Sequence, residues 1–388
     1  MRDAYVTVDL SALRDNVRAI RENYPEYRTI IGVVKGDAYG HGVRCAEALC
    51  EGGIDTFAVS TMDEALRLRE HTGADIFLLE PVRIDDIPVA ADAGLILPVS
   101  DMDYLKAFLS AAAGYSFRLH IQVDCGFNRL GFKSSDEIEQ AVHMINDSPH
   151  TLDGIYQHFA TAGINDRYYD EQIRRFEELT SGVSLDDIPL VHLCSGVTMV
   201  AHPKLPYATA ARMGLMMYGY SVAPTSYGRG VKDRLRQARD RYYRSRYKLT
   251  ETITDVSIEL RPAIKFSSRI LQLKNVSKGE HIGYGAAYTA GEDMRIAILP
   301  VGYNNGIGHA NRGRQVQITD KLYPVIGAIG MNMMAVKVDD TVGIDDEVIL
   351  LGDKITLGMF SRSSGLGLAE ALVSIGRSNE RIYKDQRS

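Results

Sequence analysis

The chain has 388 residues, too many for one ordinary core, so two domains are expected. It is 45% hydrophobic and 24% charged, with a net charge of −6 and a pI near 6.0, a soluble globular composition that argues against nucleic-acid and anionic-membrane partners. No run approaches the ~20 apolar residues of a spanning helix, and the opening MRDAYVTVDL lacks the order of a signal peptide, so a cytoplasmic protein is expected. Ser11 is placed to cap a first helix, in which Leu13, Val17 and Ile20 recur at helical spacing before Pro25. Short apolar runs then alternate with amphipathic stretches. The runs are TIIGVVK (29–35), TFAVS (56–60), IFLLE (76–80), LILPVS (95–100), RLHIQVD (118–124), LDGIYQH (152–158), PLVHLC (189–194) and ATAARMG (208–214). MDEALRLREHTG (62–73) and DEIEQAVHMINDS (136–148) are examples of the helices between them.

Strand, helix, strand at this spacing implies parallel strands joined by crossover helices. Eight runs fit a (β/α)8 barrel over residues 10–222 better than an open doubly wound sheet, which normally shows a G-x-G-x-x-G after its first strand. The pattern then changes. TSYGRGVKDRLRQARDRYYRSRYK (225–248) holds nine Lys or Arg against Asp233 and Asp240, and reads as a solvated insertion or linker over 223–258. Strand-like alternation follows in IKFSSRILQLKNV (264–276), MRIAILPVGY (294–303), RQVQITD (314–320), MMAVKV (333–338) and EVILLG (347–352). A helix is expected in GLGLAEALVSIG (365–376). These residues form a β-rich second domain, 259–388, which the alternating residues 1–9 are expected to join. The four cysteines, Cys45, Cys50, Cys125 and Cys194, lack zinc-finger spacing and read as buried small hydrophobes, so no metal is expected.

In a barrel, chemistry sits where strands run into their βα loops. Lys35 ends the first run, with Tyr39 in the glycine-rich loop after it. Arg129 follows the fifth run and His158 ends the sixth. His192, Ser195 and Gly196 lie at the seventh and Arg212 at the eighth. A lysine there can hold pyridoxal phosphate, an arginine can bind a carboxylate in bidentate fashion, and the backbone at Gly214 and Leu215 can meet a phosphate. A cofactor-free Schiff-base aldolase uses a barrel lysine too, and the residues alone leave it open.

VVKGDAYGHG (33–42) resembles the cofactor-lysine signature of the alanine racemases, fold-type III pyridoxal-phosphate enzymes. The resemblance continues through VDCGFNRLGF, IYQHFATAG, ARMGLMMYG, IGYGAAYTA, LPVGYNNG and AIGMNMM, and so spans nearly the whole chain. It implies a barrel with a C-terminal β domain, pyridoxal 5′-phosphate, and two-base interconversion of L- and D-alanine that feeds D-alanine to the cell wall. Lys35 would carry the cofactor and act as one base, and Tyr284 as the other. Tyr39 would hold the phosphate with Ser195, Gly196, Gly214 and Leu215. Arg212 would face the pyridine nitrogen, oriented with the tyrosine by His158 and His192. Arg129 and the Met331 backbone would bind substrate. The resemblance also implies a head-to-tail homodimer with shared sites.

The sequence departs from the family at several points. Gly330-Met331-Asn332 stands where cysteine, methionine and aspartate are usual. Gly196 replaces a phosphate-binding serine, and Gln122 a lysine that can be carbamylated to steady the arginine; its amide oxygen is expected to accept from Arg129. Gly376 aligns with a tyrosine and is expected to enlarge the pocket beside the substrate side chain. That departure makes serine an alternative to alanine. A fold-type III decarboxylase and a non-catalytic pyridoxal-phosphate carrier are further alternatives, the carrier disfavoured by the second domain.

Overall fold

The computed structural model describes residues 3–161, 167–220, a few positions between 230 and 242, and 258–385. The insertion expected at 223–258 lies almost wholly outside the described residues. The chain divides into two compact units. One comprises Arg14–Lys35 and Ala46–Leu260, the other Met1–Leu13, Gly36–Cys45 and Arg261–Ser388.

In the first unit all eight expected runs form strands: β2 (Thr29–Val33), β3 (Thr56–Val59), β4 (Asp75–Leu78), β5 (Leu95–Val99), β6 (Arg118–Gln122), β7 (Thr151–Tyr156), β8 (Leu190–His192) and β9 (Ala210–Met213). They pair in parallel in the order β8-β7-β6-β5-β4-β3-β2-β9. The circuit closes where Thr209 N donates to Val191 O and Arg212 N to Cys194 O, each at 2.9 Å, beside a parallel bridge between Ser195 and Arg212. The result is a (β/α)8 barrel. Helices return the chain between strands, and side chains start them: Asp101 Oδ1 accepts from Tyr104 N at 2.8 Å, and Thr61 and Ser134 cap their helices in the same way. The barrel strands are continuous apolar runs because helices cover their outer faces.

The second unit is built on a nine-stranded sheet. Its strands are β1 (Ala4–Asp9), β10 (Ile264–Ser268), β11 (Gln272–Val276), β14 (Met294–Leu299), β15 (Gln315–Ile318), β16 (Lys321–Ile326), β17 (Met334–Val338), β18 (Val348–Leu351) and β19 (Glu380–Lys384). They run β11-β14-β17-β16-β15-β18-β10-β1-β19, with β1 antiparallel to β10 and parallel to β19. A separate hairpin joins β12 (His281–Ile282) to β13 (Tyr288–Thr289). The expected single run 264–276 is two strands, β10 and β11, and the C-terminal helix spans Leu368–Ser378. Ser11 does not cap the first helix. Asp9 does, its Oδ1 accepting from Ala12 N at 3.0 Å and from the Ser11 hydroxyl at 2.6 Å. A carboxylate here also favours the positive end of the helix.

Candidate active site

Lys35 stands where the β2 ladder stops. Val34 N makes the last rung, to Ala58 O at 2.9 Å, and Lys35 is the next residue. Burial lowers its pKa most, and Arg129 and, to a lesser extent, Arg212 lower it further, opposed by Glu64 and Glu80. A larger share of the amine is therefore neutral, the form that attacks a carbonyl.

The chain then makes a left-handed turn. Gly36, Asp37, Ala38 and Tyr39 have φ of 66°, 57°, 52° and 51°, and Gly40 has 81°. Such a turn costs L-residues about 1–2 kcal/mol each. Local bonds offset that cost. Gly40 N donates to Gly36 O at 3.0 Å and Gly42 N to Asp37 O at 2.8 Å. His41 Nδ1–H donates to Ala38 O at 3.0 Å and Tyr39 O at 3.1 Å. Asp37 accepts from Val43 N at 3.1 Å and pairs with Arg381 at 2.5 Å. The segment belongs to the second unit, where the helix Leu368–Ser378 packs on it. Here Gly376 departs from expectation. It is buried against the Gly40 backbone, and a Cβ at 376 would lie 1.9 Å from the Gly40 oxygen. Glycine at 376 is therefore a packing requirement of the turn and opens no substrate pocket.

Arg212, on β9, is 5% exposed. Its Nη1 donates to His192 Nδ1 at 2.7 Å and to the His192 carbonyl. Its Nη2 donates to Gln157 O at 2.7 Å, Leu193 O at 3.2 Å and His158 Nδ1 at 3.4 Å. Nε has no partner among the described residues. Burial lowers the Arg212 pKa to about 10, which leaves it charged at neutral pH. Burial, then Arg212, Arg129 and Lys35, push His158 down to about 3, so its imidazole is neutral.

Arg129 has no hydrogen bond or ion pair among the described residues. Its guanidinium lies over the Phe127 ring, 4.4 Å from the centroid, and that ring lies 5.2 Å from His158. The expected bond from Arg129 to Gln122 is not made. The Gln122 oxygen accepts from the Tyr156 hydroxyl at 2.9 Å, because Tyr156 stands beside it on β7. Phe127 was missed from the sequence. An aromatic residue two positions before the arginine, in FNR, is the signal that marks it.

Ser195 precedes the short helix Gly196–Ala201, and its carbonyl accepts from Met199 N at 2.9 Å. After β9 the carbonyls of Gly214 and Leu215 accept from Met217 and Tyr218 at 3.0 and 3.1 Å. Lys35, Arg129, His158, Ser195, Gly196, Arg212, Gly214 and Leu215 all belong to the barrel unit, and the first three share a field with Arg212.

Tyr39, Tyr284 and Met331 belong to the second unit. Tyr284 sits at the tip of the β12–β13 hairpin between Gly283 and Gly285, whose φ of 79° and 66° the turn requires. It is 80% exposed, and Met331 is 55% exposed. Both line a pocket of about 420 Å³ with Gly283, Gly330 and Met333. Gly330 lies under the Tyr284 ring, and its carbonyl accepts from Tyr303 N at 3.1 Å. The Met331 carbonyl accepts from Asn304 N at 2.9 Å, while its N–H has no partner among the described residues.

Comparison with known proteins agrees across both units. The alanine racemase N-terminal domain family matches residues 8–222, and the alanine racemase C-terminal domain family matches 263–383. The alanine racemase of Listeria monocytogenes serotype 4b (strain F2365) is 30% identical over 357 residues, covering 90% of this chain and 88% of that one. That of Limosilactobacillus fermentum is 30% identical over 359 residues, covering 91% and 89%. The crystal structure of alanine racemase from E. faecalis superposes with a TM-score of 0.85 at 27% identity, covering 99% of this chain and 98% of that one. The alanine racemase of Bacillus anthracis with bound L-Ala-P gives 0.83 at 27% identity, covering 99% and 95%. From its barrel strands to its C-terminal sheet, the chain belongs to the alanine racemase family.

Proposed function

We propose that the protein interconverts L- and D-alanine, using pyridoxal 5′-phosphate bound through Lys35. The observation that carries the reading is the pairing, at one end of the barrel, of a lysine of lowered pKa with a buried arginine whose Nε–H has no partner among the described residues. These residues fit the cofactor. The lowered lysine pKa favours covalent attachment, and the Arg212 Nε–H would meet the pyridine nitrogen. The hydroxyls of Tyr39 and Ser195, with the backbone at Gly196, Gly214 and Leu215, would take the phosphate.

When bound, the cofactor supplies the electron sink that makes the substrate's α-proton acidic. Racemisation then needs a proton to leave one face of Cα and another to arrive on the opposite face. Lys35 Nζ serves one face and Tyr284 Oη the other. Arg212 stays cationic and, set against the pyridine nitrogen of the bound cofactor, would keep that nitrogen unprotonated, which would weaken the sink and limit side reactions. Arg129, which has no acceptor among the described residues and is steadied by Phe127, binds the substrate carboxylate, and the Met331 N–H adds a second donor. His158, neutral, accepts from Arg212 and so helps fix its orientation.

The reading assigns 10–222 to a cofactor-binding barrel, 223–258 to an insertion, and 259–388 with 1–9 to the β domain. It places the enzyme in the cytoplasm as a homodimer, supplying D-alanine for the cell wall. In the dimer, the exposed Tyr284 and Met331 of one protomer complete the barrel site of its partner. The case for a larger substrate such as serine falls with Gly376, which packs on Gly40.

Incubation of the loaded enzyme with each L-amino acid, read by chiral chromatography, tests the activity. L-Alanine is expected to racemise fastest, and carbon dioxide release without D-product would overturn the reading. Mixing inactive Lys35→Ala and Tyr284→Phe protomers tests the shared sites. Refolding the mixture should restore about a quarter of wild-type activity if each site draws on both chains, and none if it does not.

A further inference from the structure

A chain of buried polar side chains leads away from Arg212 through the barrel interior. His192 Nε2 lies 2.9 Å from His120 Nδ1, and His120 Nε2 lies 3.0 Å from Asp153 Oδ2. The same Asp153 oxygen accepts from Arg118 Nη2 at 3.0 Å, and Arg118 Nη1 reaches Asp75 at 2.5 Å. Both imidazoles are fully buried. They are walled by aromatic rings: His192 stacks on Tyr156 at 4.9 Å, and Phe77 lies 4.4 Å from His120. Opposite His120 on β7 stands Gly154, where a Cβ would come within 2.7 Å of the imidazole. The strand thus leaves room for the ring.

Only one arrangement of protons satisfies this chain. A guanidinium donates and cannot accept, so His192 Nδ1 must offer its lone pair to Arg212. The His192 proton is then on Nε2, where it needs an acceptor, and His120 Nδ1 is the atom in reach. His120 therefore carries its own proton on Nε2, aimed at Asp153, and a carboxylate accepts it. Reversing His120 would set N–H against N–H at His192 and a lone pair against the carboxylate. Burial keeps both histidines neutral, outweighing Asp153 at His120 and joined by Arg212 at His192. Burial works to raise the Asp153 pKa, but the bonds from His120 and Arg118 prevail and hold it ionised.

We propose that Asp153 is a positioning residue of the enzyme: through His120 and His192 it fixes the proton on Nε2 of both imidazoles and so holds Arg212 with Nε–H presented to the cofactor. Asp153 touches neither substrate nor cofactor. Its carboxylate is the terminal acceptor that sets the direction of every bond between it and Arg212, and Arg118 and Asp75 anchor that end. The catalytic part of the proposal rests on the racemase reading, while the proton assignment stands on geometry alone.

The test is two-bond ¹H–¹⁵N correlation on the full-length loaded enzyme with labelled histidines, of which the chain has 10. His120 and His192 are assigned by substitution. In the wild type both should appear as the neutral Nε2–H form, unchanged between about pH 6 and 8. Asp153→Asn should keep this pattern and near-normal kcat, because Arg118 and His120 both donate to one oxygen and orient the carboxamide. Asp153→Leu should give mixed tautomers at His192, lower kcat by roughly tenfold with KM for L-alanine within about twofold, and shift the cofactor's visible absorbance. Nδ1–H or charged His192 in the wild type overturns the proposal. So does a folded Asp153→Leu enzyme with unaltered tautomers and kcat. If Asp153→Leu fails to fold, the wild-type tautomers and their retention in Asp153→Asn decide the matter. An enzyme with the expected tautomers that racemises no amino acid would fault the racemase reading and leave the proton assignment standing.

Discussion

The backbones of Gly376 and Gly40 touch without a side chain between them. A Cβ built on Gly376 would sit 1.9 Å from the Gly40 oxygen, and one on Gly40 would sit 2.2 Å from the Leu372 oxygen. Gly40 also has a φ of 81°, so neither position tolerates a larger residue. Gly376→Ala should destabilise the protein by about 1–3 kcal/mol through overpacking. Gly376→Tyr should cost more and leave the ratio of alanine to serine turnover where it was. Urea midpoints and paired competition assays check both expectations. A stable tyrosine variant with sharpened alanine preference would show that the residue faces substrate.

Tyr284→Phe should retain bound cofactor yet lose exchange on one enantiomer. The equilibrium constant ties the two kcat/KM values together, so net racemisation rates do not separate the bases. Solvent deuterium uptake into each enantiomer does. Uptake from L-alanine should fall by about 10²–10⁴-fold, the usual contribution of a positioned acid or base. Unimpaired uptake from L-alanine would remove Tyr284 from the mechanism.

Phe127→Leu should weaken substrate binding. The ring holds Arg129 by a cation–π contact worth about 0.5–2 kcal/mol, which converts to a rise of roughly 2–30-fold in KM. Phe127→Tyr, which keeps the ring, should stay near wild type. Steady-state kinetics with L-alanine distinguish the cases, and equal KM values across all three proteins would mean that the stacking does not position Arg129.

The His41 imidazole makes the turn after Lys35 sensitive to acid. Burial lowers its pKa from 6.5 to about 4 in the folded chain. Between those values the unfolded chain binds the extra proton, so stability rises with pH. The contribution is complete above about pH 6.5 and is lost as pH falls toward 4, about 3 kcal/mol in all. His41→Asn, whose amide can still donate to the Ala38 and Tyr39 carbonyls, should flatten that part of the curve. Urea titrations from pH 7 to 4 compare the two slopes, and identical slopes would exclude His41 as the group responsible.

The barrel was legible because each of its strands is a short buried run, as in TFAV and DIFL, with helical periodicity between. The second domain was only half legible. Pro324 disguised β16, and the break at Arg269–Leu271, marked only by the polar run Ser267-Ser268-Arg269, was absorbed into one longer strand-like run. The placement of Lys35, Arg212 and His158 at or beside strand ends could be read because those ends are fixed by the pattern. The left-handed turn could not, since Asp37, Ala38 and Tyr39 show no local preference for the conformation that tertiary bonds impose on them. The role of Gln122 was misread for a related reason. Its partner is chosen by the neighbouring strand, where Tyr156 competes successfully with Arg129.

The anchoring of residues 36–45 in the second unit has a bearing on how the protein is made. The groups that hold the turn in place are Leu372, Gly376, Arg381 and Tyr383, and they leave the ribosome long after the turn itself, Arg381 lying 344 residues beyond its partner Asp37. A nascent chain can hydrogen-bond all eight barrel strands long before then. Its lysine would nonetheless sit next to an unsupported loop, because the left-handed residues have lost their counterweight. The corner beside Lys35 is thus translated well before the residues that complete it. A chain cut after residue 366 should leave this corner open to proteases, while the barrel strands stay protected. Stop codons placed along the final helix would locate the point at which protection appears.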